Sequence, residues 1–251
     1  MIVTLVTGGN RGIGYAIVKL LAARLASPTI IIGCRDVAAG KRAVDELRGE
    51  GTKADLDVVR MDIEDDNAIQ EAVAVVSQKY GKLDYLVNNA ARVTRPESEK
   101  FEDIRRAANE VYNNGVTSNE VVTRAFLPLL RKATSPRVVM VSSARGSIGM
   151  TAAKQLPPAA VVSYCVSKAA LNMLTLHLQL KEDSRGDGEA RVGYWAVSPG
   201  HCNTAFNGFK GRKKPEEGAE MVARLLEAEG GEFEAGTFWQ YEDGVLEEVK
   251  W

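Results

Sequence analysis

The stretch Thr4-Leu5-Val6-Thr7-Gly8-Gly9-Asn10-Arg11-Gly12-Ile13-Gly14 limits the possible folds most sharply. The apolar, β-branched run from Ile2 to Val6 reads as a buried parallel strand. Apolar residues at 13, 16, 17, 20 and 21 then mark one face of a helix. Glycines between them permit a tight turn, let backbone N–H groups approach a pyrophosphate, and bring helix close to strand. The helix N-terminus adds partial positive charge toward a bound phosphate. The spacing Gly8, Gly12, Gly14 departs from G-x-G-x-x-G, so on this stretch alone an ordinary tight turn stays open.

Strand and helix patterns alternate along all 251 residues, with no internal repeat. Strands are expected at Thr29 to Cys34, Leu56 to Met61, Leu83 to Asn88, Arg137 to Ser142, Arg191 to Ser198 and Thr237 to Tyr241. Helices are expected at Val37 to Arg48, around Ile69 to Tyr80, from about Glu99 to Lys132, from Val161 to about Leu180, and at Pro215 to Glu229. Pro128 is expected to bend or end the long helix. The helix after Val161 is apolar over much of its surface, so both its sides are expected to be covered. Such alternation predicts an α/β fold, a doubly wound, Rossmann-type parallel sheet of about seven strands in a single domain over 1–251. A ligand then lies outside the carboxyl ends of the strands. A net charge of −1 provides no electrostatic reason for nucleic-acid or membrane partners. No apolar stretch approaches the roughly 20 residues of a membrane helix. Cys34, Cys165 and Cys202 have no metal-ligand spacing, so no metal is expected and free thiols in a reducing compartment are. With the first strand starting at Ile2, no leader is expected, and the expected location is cytoplasmic.

Ser142-Ser143 ends the fifth strand, and Tyr164-Cys165-Val166-Ser167-Lys168 follows. Tyrosine and lysine four apart share a helix face, so the ammonium sits beside the phenol. A free phenol has a pKa near ~10, and moving it three units toward neutrality requires roughly 4 kcal/mol of differential interaction. A close cation in a site of low dielectric is expected to supply it, leaving the phenol able to protonate a carbonyl oxygen. Ser143 would hold that oxygen. The second strand ends in Cys34-Arg35-Asp36, with cysteine where a carboxylate would select a ribose 2′-hydroxyl. Arg35, with Arg11 nearby, suits a 2′-phosphate; a surface arginine is the alternative. Asp36 is expected to cap the following helix.

Thr7 to Gly14 (Thr-Gly-x-x-x-Gly-x-Gly), Asn88-Asn89-Ala90-Ala91, Ser143, Tyr164-x-x-x-Lys168 and Ser198-Pro199-Gly200 together resemble the short-chain dehydrogenase/reductase family, in its NADPH-dependent carbonyl reductase-like branch. The resemblance runs from Thr7 to Thr204 and departs from the pattern at Ala91, where the family has glycine. It implies an oxidoreductase that moves hydride between NADP(H) and a small-molecule ketone, aldehyde or alcohol, with reduction favoured. It implies cofactor contacts at Gly8, Asn10, Arg11, Gly12, Ile13, Gly14, Arg35, Asp62, Ile63, Asn89, Ala90, Tyr164, Lys168, Pro199, Gly200 and Thr204. Lys168 would also hold the nicotinamide ribose and Thr204 the carboxamide. Asp62 would meet the adenine ring or else cap the third helix; one aspartate does not separate these.

Two further features depart from the family. Its fourth catalytic residue is an asparagine in the long helix, whose carbonyl positions a water that links the lysine to solvent. Counting back from Phe126-Leu127-Pro128 puts Gly115 there, preceded by Asn113-Asn114. Either Asn114 substitutes after a one-residue shift, the relay is looser, or redox activity is vestigial. The other departure is the long step from Ser143 to Tyr164, whose extra residues around Met150 to Pro158 are expected to wall the substrate pocket and to favour a monomer or homodimer. Phe206 to Lys214 would be a lid, with Gly208 and Gly211 as hinges. Its basic cluster is a solvated face or a site for an acidic substrate. Arg92 and Arg145 lie beside the motifs, with surface positions as the default. His177 is expected to be a satisfied structural residue. A nucleotide-binding protein without turnover, or an isomerase or cyclase using the same pocket, are the competing functions.

Overall fold

In the computed structural model, which describes all residues except Asp187 and Glu189, the apolar runs become strands buried on both faces. β1 (Ile2–Thr7) is buried from Val3 onward, and β2 (Pro28–Cys34) is buried throughout. This is the burial that a parallel sheet covered on both sides imposes. β3 (Asp55–Arg60), β4 (Tyr85–Asn88), β5 (Arg137–Val141), β6 (Gly193–Ser198) and β7 (Phe238–Glu242) complete the parallel part. An eighth strand, β8 (Val245–Glu248), pairs antiparallel with β7 and adds to the expected seven. The order is β3-β2-β1-β4-β5-β6-β7-β8. Its direction reverses between β1 and β4, which opens a crevice at their carboxyl ends.

Helices fill both faces. α1 (Gly12–Arg24), α2 (Val37–Gly49) and α8 (Pro215–Glu227) bury Ile17, Leu21, Leu47, Val222 and Leu226 on one side. α3 (Asp66–Tyr80), α5 (Ser118–Leu130) and α7 (Val162–Asp183) bury Ile69, Val76, Phe126, Leu130 and Leu171 on the other. Asp36 caps α2, accepting from the N–H groups of Ala38 and Ala39, as its position predicts. α3 is capped by Asp65 rather than Asp62. Among the described residues, no helix is long and apolar enough to cross a membrane.

Two expectations about helices are corrected. The single long helix is two, α4 (Phe101–Tyr112) and α5, joined by one π-helical turn at Asn113–Thr117. Pro128 has no N–H for the Arg124 carbonyl, and α5 ends two residues later at Leu130, as expected. α7 is covered on one side only. Its sheet-facing Leu171 and Thr175 are fully buried, whereas Val162, Val166, Met173, His177 and Leu180 are exposed. A helix in an outer layer meets the sheet along one stripe, however apolar its other face.

Candidate active site

The glycine turn sits at the switch between β1 and β4 and is locked by the strand-end asparagines. Gly8 and Gly12 take φ values of +66° and +57°, which L side chains rarely adopt. A Cβ on Gly14 would stand 2.3 Å from the Gly8 carbonyl oxygen and 2.5 Å from Asn89 Nδ2. Asn89 donates its amide to the Thr7 carbonyl (2.9 Å), while Thr7 Oγ1 accepts from the N–H groups of Asn89 and Ala90 (both 2.9 Å). Arg11, exposed beside Asn10 and Ile13, precedes α1, whose N-terminus has no side-chain cap and no acidic residue in its first turn. The Thr204 side chain rises over Gly12, with Cγ2 3.6 Å from where a Cβ would stand there. An uncapped helix end above a glycine-lined cradle fits a dinucleotide's pyrophosphate.

Other residues singled out in the sequence ring this cradle. Arg35 is exposed at the carboxyl end of β2, and Cys34 beside it is buried. Asp62 is half-buried and accepts from the N–H of Glu64 (3.1 Å), and Ile63 is buried next to it. At the carboxyl end of β6, Ser198 Oγ accepts from the Ala144 N–H (2.9 Å), Pro199 follows, and Gly200 turns with φ +75°. Ser198 therefore ties this loop to the one that carries Ser143.

Tyr164 and Lys168 lie in the first two turns of α7, with Lys168 Nζ 5.7 Å from the centre of the Tyr164 ring. Lys168 is buried and donates to the Val141 carbonyl (2.8 Å), which ties the ammonium to the end of β5. Gly146 makes this approach possible, since a Cβ there would stand 2.6 Å from the Lys168 carbonyl carbon. Ser142 Oγ hydrogen-bonds Asn172 Oδ1 (2.6 Å) beneath the site. The Ser143 hydroxyl engages the Tyr164 phenol and favours its ionised form. Burial nevertheless wins at both titratable groups: it pushes the Tyr164 phenol up to about 12 and Lys168 down to about 8. The expected lowering of the phenol is thus reversed. Nζ stands over the ring while bonded to a carbonyl, and desolvation penalises both charged forms.

A family model described as short chain dehydrogenase matches residues 2–215. The chain belongs to this family. A short-chain dehydrogenase/reductase of Aspergillus fumigatus is 37% identical over 255 residues, covering 99% of this chain and 97% of that protein. The carbonyl reductase [NADPH] 1 of Pongo abelii is 31% identical over 266 residues, 90% of each. Among solved structures, the NADPH-bound carbonyl reductase from chicken fatty liver superposes with a TM-score of 0.79 at 28% identity, covering 100% of both chains.

Against the family pattern, the π-turn is the informative departure. Asn114 is buried, but both ends of its amide are engaged: Oδ1 accepts from the Arg92 N–H (2.8 Å) and Nδ2 donates to Glu64 (3.1 Å). No hydrogen bond joins its side chain to Lys168 among the described residues. Gly115 packs on α7, with the position of a Cβ 3.0 Å from Ser167 Oγ. The turn is held instead by Asn119, whose Nδ2 donates to the carbonyls of Gly115 (3.0 Å) and Asn114 (3.2 Å). Asn119 was missed in the sequence; its mark is an asparagine one helical turn after an Asn-Gly pair.

The insert after Ser143 forms a 3-10 turn at Ala144–Gly146 and the short helix α6 (Ile148–Ala152). It is stitched to the residues after β8: the Gly149 N–H donates to Trp251 O (2.8 Å), and Ser147 Oγ donates to the Lys250 carbonyl (2.5 Å). Phe206 in the expected lid lies over the phenol, with ring centres 5.8 Å apart. Gly208 has φ +66°, whereas Gly211 is wedged, with a Cβ position 2.0 Å from the Cys202 carbonyl carbon. Gly211 is therefore a packing glycine and not a hinge. Lys213 is bound by Glu242 and the Tyr241 carbonyl, which removes it from the basic cluster as a free cation.

Proposed function

We propose that this chain reduces a small-molecule ketone or aldehyde at the expense of NADPH, with Ser143, Tyr164 and Lys168 as its catalytic residues. One juxtaposition carries the reading: a neutral phenol, a hydroxyl and a buried lysine stand at the same sheet end as an uncapped glycine cradle. A reduced nicotinamide dinucleotide bound in that cradle supplies hydride to the carbonyl carbon. Ser143 Oγ donates to the substrate oxygen, and Tyr164, kept protonated by burial, passes its proton to the same oxygen. Lys168 faces the ring of the phenolate left behind and stabilises it electrostatically. Arg35 and Arg11 support a 2′-phosphate, and Asp62, Ile63, Asn89, Ala90, Pro199, Gly200 and Thr204 border the remaining dinucleotide. The Gly115 carbonyl, steadied by Asn119, takes the place of the family's asparagine and weakens the case for vestigial activity. Free thiols at Cys34, Cys165 and Cys202 suit a cytoplasmic, reducing location.

Steady-state NADPH oxidation across a carbonyl panel tests the assignment. Tyr164→Phe should lower kcat by at least about a thousandfold and leave NADPH affinity, followed by nucleotide fluorescence, within about twofold. A kcat near that of the parent protein would remove Tyr164 as the proton donor.

A further inference from the structure

Three cations discussed above are already committed. Lys168 is tied to the Val141 carbonyl, Lys213 to Glu242, and Arg92 to Glu64 and Glu110. Arg145 is different. It lies two residues beyond Ser143, its own N–H donates to Ser143 Oγ (3.2 Å), and its Nη1 reaches across to the Pro157 carbonyl in the insert. That contact occupies one of five guanidinium donors. No carboxylate among the described residues pairs with it. The side chain is half-buried, so water screens it less than a fully exposed arginine. Its field reaches both the Tyr164 phenol and the Cys165 thiol, favouring the anionic form of each.

The other wall is aromatic. Phe206 leans on the Tyr164 ring at 56° and keeps about half its surface open, with a relative exposure of 48%. An uncompensated guanidinium and an open aromatic face thus flank the same phenol. A flat ring is accommodated by Phe206 through offset or edge contact. A carboxylate matches the planar fork of Arg145 through paired charge-assisted hydrogen bonds.

We infer that the preferred substrate is an aromatic carbonyl compound bearing a carboxylate, its ring against Phe206 and its anionic group on Arg145. This rests on the reductase reading above and adds the substrate class to it. Arg145 is then a specificity determinant that leaves the chemical step to Ser143, Tyr164 and Lys168.

The test compares 4-formylbenzoate with its methyl ester, which keeps the ring and aldehyde but removes the charge. The parent protein should favour the carboxylate in kcat/KM by about tenfold or more, the size expected of a charge-assisted contact. Arg145→Met should lose about tenfold on the carboxylate, chiefly in KM, and less than about twofold on the ester. Arg145→Lys should recover part of the loss. Equal losses on both compounds would mean that Arg145 only braces the insert through Pro157, and would overturn the inference. So would a parent protein that prefers the ester, or one that reduces neutral carbonyls of the panel and neither of these aldehydes. Failure to oxidise NADPH with every carbonyl of the panel would overturn the reductase reading itself, and this inference would fall with it.

Discussion

Arg35 stands exposed at the end of β2 with Cys34 buried behind it, so no acidic side chain occupies that strand end to repel a phosphate. Asp36, the nearest carboxylate in sequence, is engaged in capping α2. If Arg35 holds the 2′-phosphate, Arg35→Asp removes a charge-assisted contact and adds a repulsive one. The KM for NADPH should rise by about tenfold or more while kcat/KM with NADH improves. Unchanged preference in steady-state assays with both nucleotides would take Arg35 out of the site. At this scale residue identity and spacing were readable, because Tyr164 and Lys168 four apart must share a helix face. Their titration was not. It depends on how much chain is packed over the pair, and no spacing within α7 reports that.

The π-turn between α4 and α5 belongs to the next scale. One residue too many in a helical turn leaves carbonyls without their usual partners, and Asn119 supplies donors to two of them. Thr123 Oγ1 donates to the Asn119 carbonyl (2.7 Å) and accepts from Asn88 Nδ2 (2.9 Å), which extends the polar chain to the end of β4. Asn119→Ala should cost about 1–3 kcal/mol, read as a lower urea midpoint at unchanged slope. A midpoint within error of the parent would mean that the turn does not need its side-chain donor. Apolar periodicity made the long helical stretch visible from Glu99 to Lys132, but it is blind to one extra residue inside it. β8 escaped for another reason. Val245-Leu246-Glu247-Glu248 is mostly exposed at a sheet edge, with no apolar face to detect. Its available signal was Asp243-Gly244, both at positive φ (49° and 80°), a two-residue hairpin turn.

For the whole molecule, burial under two helix layers shows in its response to alkali. Burial lowers Lys168 to about 8 in the fold from its ordinary 10.5, so between those pH values the unfolded chain binds more protons and stability rises with pH. Tyr164 and Tyr80, both raised to about 12 from 10.0, work the other way above pH 10, and Cys202, raised to about 11 from 9.0, does so from pH 9. Lys168→Met isolates the first effect. The Tm of this variant minus that of the parent should fall by a few °C, as an order of magnitude, between pH 7 and pH 10. A difference independent of pH, measured by calorimetry, would mean that the lysine is not desolvated as described.

The two bonds from Lys250 and Trp251 to Ser147 and Gly149 have a mechanical meaning. Trp251 also stacks on Phe238 of β7 (ring centres 5.5 Å apart), so the short helix after Ser143 is moored to the far margin of the sheet. Loosening the terminal hairpin would slacken the wall beside Arg145 while leaving the glycine cradle at the opposite side of the crevice intact. Grip on the nucleotide and grip on the compound to be reduced are thereby entrusted to separate parts of one scaffold, and sequence drift at the β8 margin can retune the second without disturbing the first.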